Sequence, residues 1–208
     1  METQRLAEQT PDAVAAGTPV DRAAFRRLMA GFPTGVAVVT AVDDLGNPAG
    51  MTCSSVCSVS LDPPTLLVCL RLGSPTLRAV LRRSAFTVNL LHAGAQATAE
   101  LFASGAAERF ARVRWRAGPG SGGPRLTDDA HAVADCRVSR VLPVGDHAVV
   151  FGEVCDVDAA DPAPAGTAAD TAADTAADTT AHSRAARPLL YGLRRYAGWP
   201  DGAGAAPR

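Results

Sequence analysis

Residues 33–70, PTGVAVVTAVDDLGNPAGMTCSSVCSVSLDPPTLLVCL, decide the fold. Val36 to Ala41 is a brief run dense in apolar and β-branched residues, too short for an amphipathic helix, and it predicts a largely buried strand. Asp43, Asp44, Gly46 and Asn47 then supply turn chemistry. The next run, Gly50 to Ser60, holds Met51, Val56 and Val59 but gives its other positions to Thr52, Cys53, Ser54, Ser55, Cys57, Ser58 and Ser60. Such small side chains let a flat ligand approach the backbone, and they offer donors and acceptors without the desolvation cost of charge. They suit a plain polar strand face equally well. Asp62, Pro63 and Pro64 end the run, because proline has no ladder donor and holds its predecessor extended. Thr65 to Leu70 predicts a third strand. Three extended runs so close together predict an antiparallel meander, since a parallel connection needs about a dozen residues of crossover.

Outward from this stretch, Asp21 predicts an N-cap, and Phe25, Leu28 and Met29 at helical spacing predict a short helix ending at Gly31. Residues 1–20 lack periodicity and predict a flexible arm. SPTLRAVLRR, 74–83, opens a helix: Ser74 can cap it, and Pro75 sits where a donor would be orphaned anyway. A helix start presents free N–H groups and a partial positive charge, which suit a phosphate. Ser74 and Thr76 are therefore either phosphate ligands or simply the start of a capped surface helix. Ala85 to Leu91 predicts a fourth strand, in which Asn89 is either a buried amide satisfied by backbone or a side chain reaching a ligand. A helix over Ala95 to Ser104 follows, with Leu101 and Phe102 on its apolar side. Phe110 and Trp115 lie beyond it. The GSGG at 120–123 has neither the GxGxxG spacing nor the preceding strand of a dinucleotide fingerprint. Ala134 to Leu142 and His147 to Asp158 predict a hairpin around Gly145 and Asp146, with His147 at its mouth.

Residues 159–187 contain TAADTAADTAAD and almost no large apolar side chain, so a disordered insertion is expected. An ordered segment resumes over 188–199, and 200–208 is expected to be a loose tail. At least six extended runs, two or three short helices and no βα alternation predict a mainly β, antiparallel closed sheet.

The chain has 208 residues and a formal charge of -1, which gives no general attraction for nucleic acid or an anionic membrane. Its 20 basic residues are all arginine, so arginine type alone does not mark a ligand here. Five cysteines, at 53, 57, 69, 136 and 155, lack the spacing and the histidines of a zinc site, so no metal is expected. No apolar run reaches the length of a membrane span and no signal core is present; the expectation is a cytoplasmic protein.

FPTGVAVVT, GMTCSSVCSVSLDPPTLLVCL, SAFTVNLL and VGDHAVVFGEV, in this order within residues 22–158, resemble the signature segments of the flavin reductase family, and PLLYGLRRY at 188–196 resembles its terminal piece. These are small NAD(P)H:flavin oxidoreductases that accompany two-component flavin monooxygenases. The resemblance implies a mainly β, Greek-key split β-barrel of the FMN-binding type with a few short α-helices, spanning 21–158 and completed by 188–199. It implies a homodimer with flavin sites at or near the subunit interface. It also makes 159–187 an insertion. FMN or FAD would be reduced by NADH or NADPH and released to a separate monooxygenase. The family implies flavin contacts at Pro33, Thr34 and Gly35, at Met51, Thr52, Cys53, Ser54, Ser55 and Cys69, and at Asn89 and Phe110. It places the phosphate end at Ser74 and Thr76. His147, in Gly-Asp-His, would contact the nicotinamide nucleotide, and Tyr191 either closes over the cofactor or packs a subunit interface. No side-chain acid or base is required, since the two rings carry the chemistry. Two alternatives remain: an oxidoreductase that holds FMN tightly and acts on another small substrate, and a flavin- or haem-binding module without turnover.

Overall fold

The computed structural model describes residues 18–119, 122–159 and 187–198. The expected arm, insertion and tail lie almost wholly outside the described residues. The chain divides between Phe32 and Pro33 into two units. The first holds helix α1 (Arg22–Ala30), whose N-cap Asp21 accepts the Ala24 N–H at 2.6 Å and whose C-cap is Gly31, as the sequence predicts.

The second unit is mainly β. Its principal sheet has seven antiparallel strands, β2 (Ala37–Val42), β3 (Pro48–Cys53), β4 (Val56–Leu61), β5 (Pro64–Arg71), β6 (Ala85–Leu91), β9 (Ala130–Val144) and β10 (His147–Ala159), in the order β3-β2-β6-β9-β10-β5-β4. Strands β1 (Thr34–Gly35), β11 (Leu189–Gly192) and β12 (Arg195–Gly198) form a small sheet, and β7 (Trp115–Ala117) pairs with β8 (Pro124–Leu126). Helices α2 (Pro75–Arg83) and α3 (Gln96–Ser104) and a single 3-10 turn at Arg109–Ala111 complete the described elements.

The apolar density of Val36 to Ala41 follows from burial on both faces. Ala37, Val39 and Ala41 pack with Leu77, Ala79 and Val80 of α2 and with Val68, Leu70, Phe86 and Val150. Val36 and Val38 point the other way, into a second cluster with Leu91, Ala99 and Phe102 of α3, Leu126 and Leu189. Strand alternation thus feeds two cores from one run.

The expected three-stranded meander is corrected. The run from Gly50 to Ser60 breaks at Ser54 and Ser55; β3 pairs with β2, β4 pairs with β5, and β3 and β4 occupy opposite edges of the sheet. No proline or glycine marks the break, and small hydroxyl residues do not hold a strand to one face as apolar ones do. The edges of a flat seven-stranded sheet would stand about 29 Å apart, whereas the three peptide steps from Cys53 to Val56 reach about 11 Å. The sheet is therefore curled enough to bring the end of β3 beside the start of β4. The Cys53 thiol donates to the Cys69 carbonyl across that seam at 3.8 Å.

A polar layer lies beneath β8. Asn89 donates to the Val38 and Pro124 carbonyls and accepts the Leu126 N–H at 2.8 Å. Thr87 donates to Asp135, which pairs with the buried Arg125 at 2.7 Å, and Arg125 also bonds Asp156. The glycine-rich segment presses onto this layer: a Cβ at Gly123 would fall 2.3 Å from the Thr40 backbone. These glycines serve close packing, consistent with the absence of a dinucleotide fingerprint.

Candidate functional site

A cleft of about 570 Å³ straddles the seam, within the usual range for small-molecule sites. Gly50, Met51 and Thr52 of β3 contribute from one sheet edge. Arg71 to Thr76, running from the end of β5, the strand next to the other edge, into α2, contribute the facing wall. Phe102 and Ala103 of α3, with Gly105 and Arg109, complete it.

Each part is fixed by local chemistry. Thr52 donates to the Ala99 carbonyl at 2.6 Å and so ties α3 to β3. A Cβ on Gly50 would come within 2.9 Å of Phe110 and 3.0 Å of Phe102. Only glycine there lets the edge-to-face pair Phe102–Phe110, 5.0 Å between centroids, pack against the strand. Gly73, at φ +79°, turns the chain into α2, and Ser74 caps it by accepting the Leu77 N–H at 3.1 Å. The Thr76 amide in the first turn of α2 and the positive dipole end of that helix lie at the cleft. The Leu72 N–H donates to the Asp146 carbonyl at 3.0 Å, which fastens this wall to the β9–β10 turn.

Two arginines and no carboxylate line the cleft. Arg109 donates through Nη1 to the Ala106 carbonyl at 2.6 Å, its guanidinium lies 5.9 Å from the Phe110 centroid, and its buried Nε has no partner. Arg71 is exposed. It stands directly opposite His147 in the β5–β10 ladder, and His147 Nδ1 lies 2.8 Å from the Asp146 carboxylate.

Of the residues expected from sequence, Met51, Thr52, Ser74 and Thr76 come together in this cleft, and His147 stands beside its rim. Cys53, Ser54, Ser55 and Cys69 sit at the seam. Burial pushes the Cys53 thiol up to about 11 and the Cys69 thiol upward, so both stay protonated near neutral pH. Thr34 pairs with Tyr191 and Gly35 with Leu190, while Pro33 packs against Gly192. Pro33, Thr34, Gly35 and Tyr191 thus form a second group, with Tyr191 also 5.0 Å from Tyr196. Asn89 takes the buried-amide alternative: it is fully buried and its bonds are internal. Phe110 backs Gly50 and Phe102. Sequence reasoning missed Arg71 and Arg109, because a chain whose basic residues are all arginine gives that residue type no contrast. It also missed Gly73 and Gly105, both at positive φ.

A second cavity of about 280 Å³ is lined by Arg116, Arg125, His131 and Asp158, among others. Its arginines are matched to carboxylates, Arg116 to Asp158 at 2.7 Å and Arg125 to Asp135. Burial, and then the neighbouring His92, holds the His131 pKa below its ordinary value. Among the described residues no group of side chains could hold a metal ion, and no helix is long and apolar enough to cross a membrane.

Comparison with known proteins places this geometry. The family model described as "Flavin reductase like domain" matches residues 29–200. The Lentzea aerocolonigenes protein named Flavin reductase (NADPH) is 46% identical over 187 residues, 89% of this chain and 95% of that one. The structure of a homologue of nitrilotriacetate monooxygenase component B from Mycobacterium thermoresistibile is 31% identical, with a TM-score of 0.72 over 90% of this chain and 92% of that one. The Streptomyces globisporus C-1027 NADH:FAD oxidoreductase, in complex with NAD and FAD fragments, is 29% identical, with a TM-score of 0.71 over 92% of this chain and 100% of its own. A match across most of the chain shows that this protein belongs to the flavin reductase like domain family.

Proposed function

We propose that the protein reduces free FMN or FAD with NADH or NADPH as hydride donor and releases the reduced flavin to a separate flavin-dependent monooxygenase. The observation that carries this reading is the cleft: in a chain of this family, a site of ligand size is lined by two arginines, a helix start and no acid. Arg109 has no carboxylate partner among the described residues, and such a guanidinium fits an anionic ligand better than an uncharged one. When both ligands are bound, the nicotinamide supplies a hydride to the flavin ring.

The residues of the chain hold and orient. In this reading the backbone of Gly50, Met51 and Thr52 receives the flat ring, while Arg71, Arg109, Ser74 and Thr76 hold the phosphate end. His147, steadied by Asp146, contacts the nicotinamide nucleotide beside Arg71. Pro33, Thr34, Gly35 and Tyr191, with Cys53, Ser54, Ser55 and Cys69, supply further flavin contacts, and Phe110 acts by setting the position of Phe102. No proton-transfer group is needed; proximity and orientation account for the rate.

The same reading takes the curled sheet as a Greek-key split barrel of the FMN-binding type, a proposal supported by the two-residue link between its edges. It takes the reductase domain as 21–158 with 188–199, the working species as a homodimer and the compartment as the cytoplasm.

The test is steady-state oxidation of NADH and NADPH, followed by absorbance, with and without FMN, FAD or riboflavin. Turnover that requires added flavin is the expected result. Flavin-independent turnover would instead indicate a tightly held cofactor with another acceptor, and flavin binding without any NAD(P)H oxidation would indicate a module without turnover.

A further inference from the structure

We propose that Arg109 is the residue that selects phosphorylated flavins, FMN and FAD, over riboflavin; this rests on the reading above. Three observations converge on it. Its guanidinium is pinned by the Ala106 carbonyl at 2.6 Å and flanked by the Phe110 ring, so it is held in place before any ligand arrives. It has no carboxylate partner among the described residues, whereas Arg125, whose Nε is likewise buried without a hydrogen bond, is matched through Nη2 to Asp135 and Asp156. The cleft it lines also receives the start of α2, which carries a partial positive charge and, with Pro75 lacking a donor and Leu77 capped by Ser74, the Thr76 N–H without an intrahelical partner.

A neutral ring gains nothing specific from a fixed cation, but a phosphate gains a charge-assisted contact. Arg71, the other cation of the cleft, is exposed and free to reorient, so it adds charge without fixing geometry. Riboflavin has the same ring system as FMN and lacks only the phosphate. Comparing the two isolates this contact.

The experiment measures dissociation constants for FMN and riboflavin by quenching of flavin fluorescence, together with KM and kcat, in the wild type, Arg109→Gln, Arg109→Lys and Arg112→Gln. The wild type should bind FMN more tightly than riboflavin. Arg109→Gln should weaken FMN by about 10- to 100-fold and leave riboflavin within about twofold, while Arg109→Lys recovers part of the loss. Arg112, exposed on the same turn and outside the cleft, should leave both constants unchanged when replaced. Equal weakening of FMN and riboflavin in Arg109→Gln, or an equal effect from Arg112→Gln, would overturn the assignment. So would a wild type that binds riboflavin as tightly as FMN, while leaving the flavin-reductase reading standing. A wild type that neither binds nor reduces any flavin would overturn that reading itself, and this assignment with it.

Discussion

His147 carries the clearest prediction for a single side chain. It faces Arg71 across the ladder and bonds Asp146, yet it lies outside the lining of the cleft. His147→Ala should raise the KM for the nicotinamide nucleotide by roughly tenfold, the size of one lost charged or polar contact, and leave the flavin dissociation constant within about twofold. An unchanged KM would remove it from the site. His131 tells of stability instead. Its pKa is lowered in the fold, so the unfolded chain binds the proton more readily. The favourable state is complete above the ordinary value near 6.5 and is lost as pH falls below it. Urea midpoints of the wild type should therefore decline more steeply below about pH 6.5 than those of His131→Gln; parallel curves would contradict this. At this scale the sequence was only partly legible. Asn89 stood out as a polar residue in an apolar strand, but only the long-range partners Val38, Pro124 and Leu126 decide that it is internal.

Among the elements, α2 shows how much local chemistry can announce. Ser-Pro before an amphipathic run was legible because the cap and the first-turn proline are neighbours in sequence. The same holds for β6, whose bounds are those expected. Ser74→Ala should cost about 1 kcal/mol in urea unfolding, the usual effect of losing a cap. Ser74→Asp also caps and should keep the stability, but it sets a carboxylate at the edge of an acid-free cleft. It should weaken FMN binding more than riboflavin binding, and a titration of both ligands checks this. The break between β3 and β4 was not legible, because nothing near Ser54 reveals that the next strand will pair with β5 on the far edge.

For the molecule as a whole, the C-terminal segment is a structural member of the second core. Leu189 is buried beside Val36, Val38 and Phe102, and its carbonyl accepts the Val36 N–H at 3.0 Å. Leu189→Ala should cost about 3 kcal/mol, as large-to-small changes in a well-packed core do, measured by chemical denaturation. The resemblance of PLLYGLRRY to a terminal family segment made its membership readable, but its partner strand, some 150 residues earlier, was visible only in the fold.

The link at Ser54 and Ser55 has one more consequence. Because β3 on one side of it and the end of β5 on the other each supply part of the cleft, any molecule seated there grips both and works as a rivet on the seam. Occupancy should then raise the melting temperature through mass action and slow amide hydrogen exchange first at Cys69, whose N–H bonds to Ser55 at 3.2 Å. Ligand release and parting of the seam would be two names for one event.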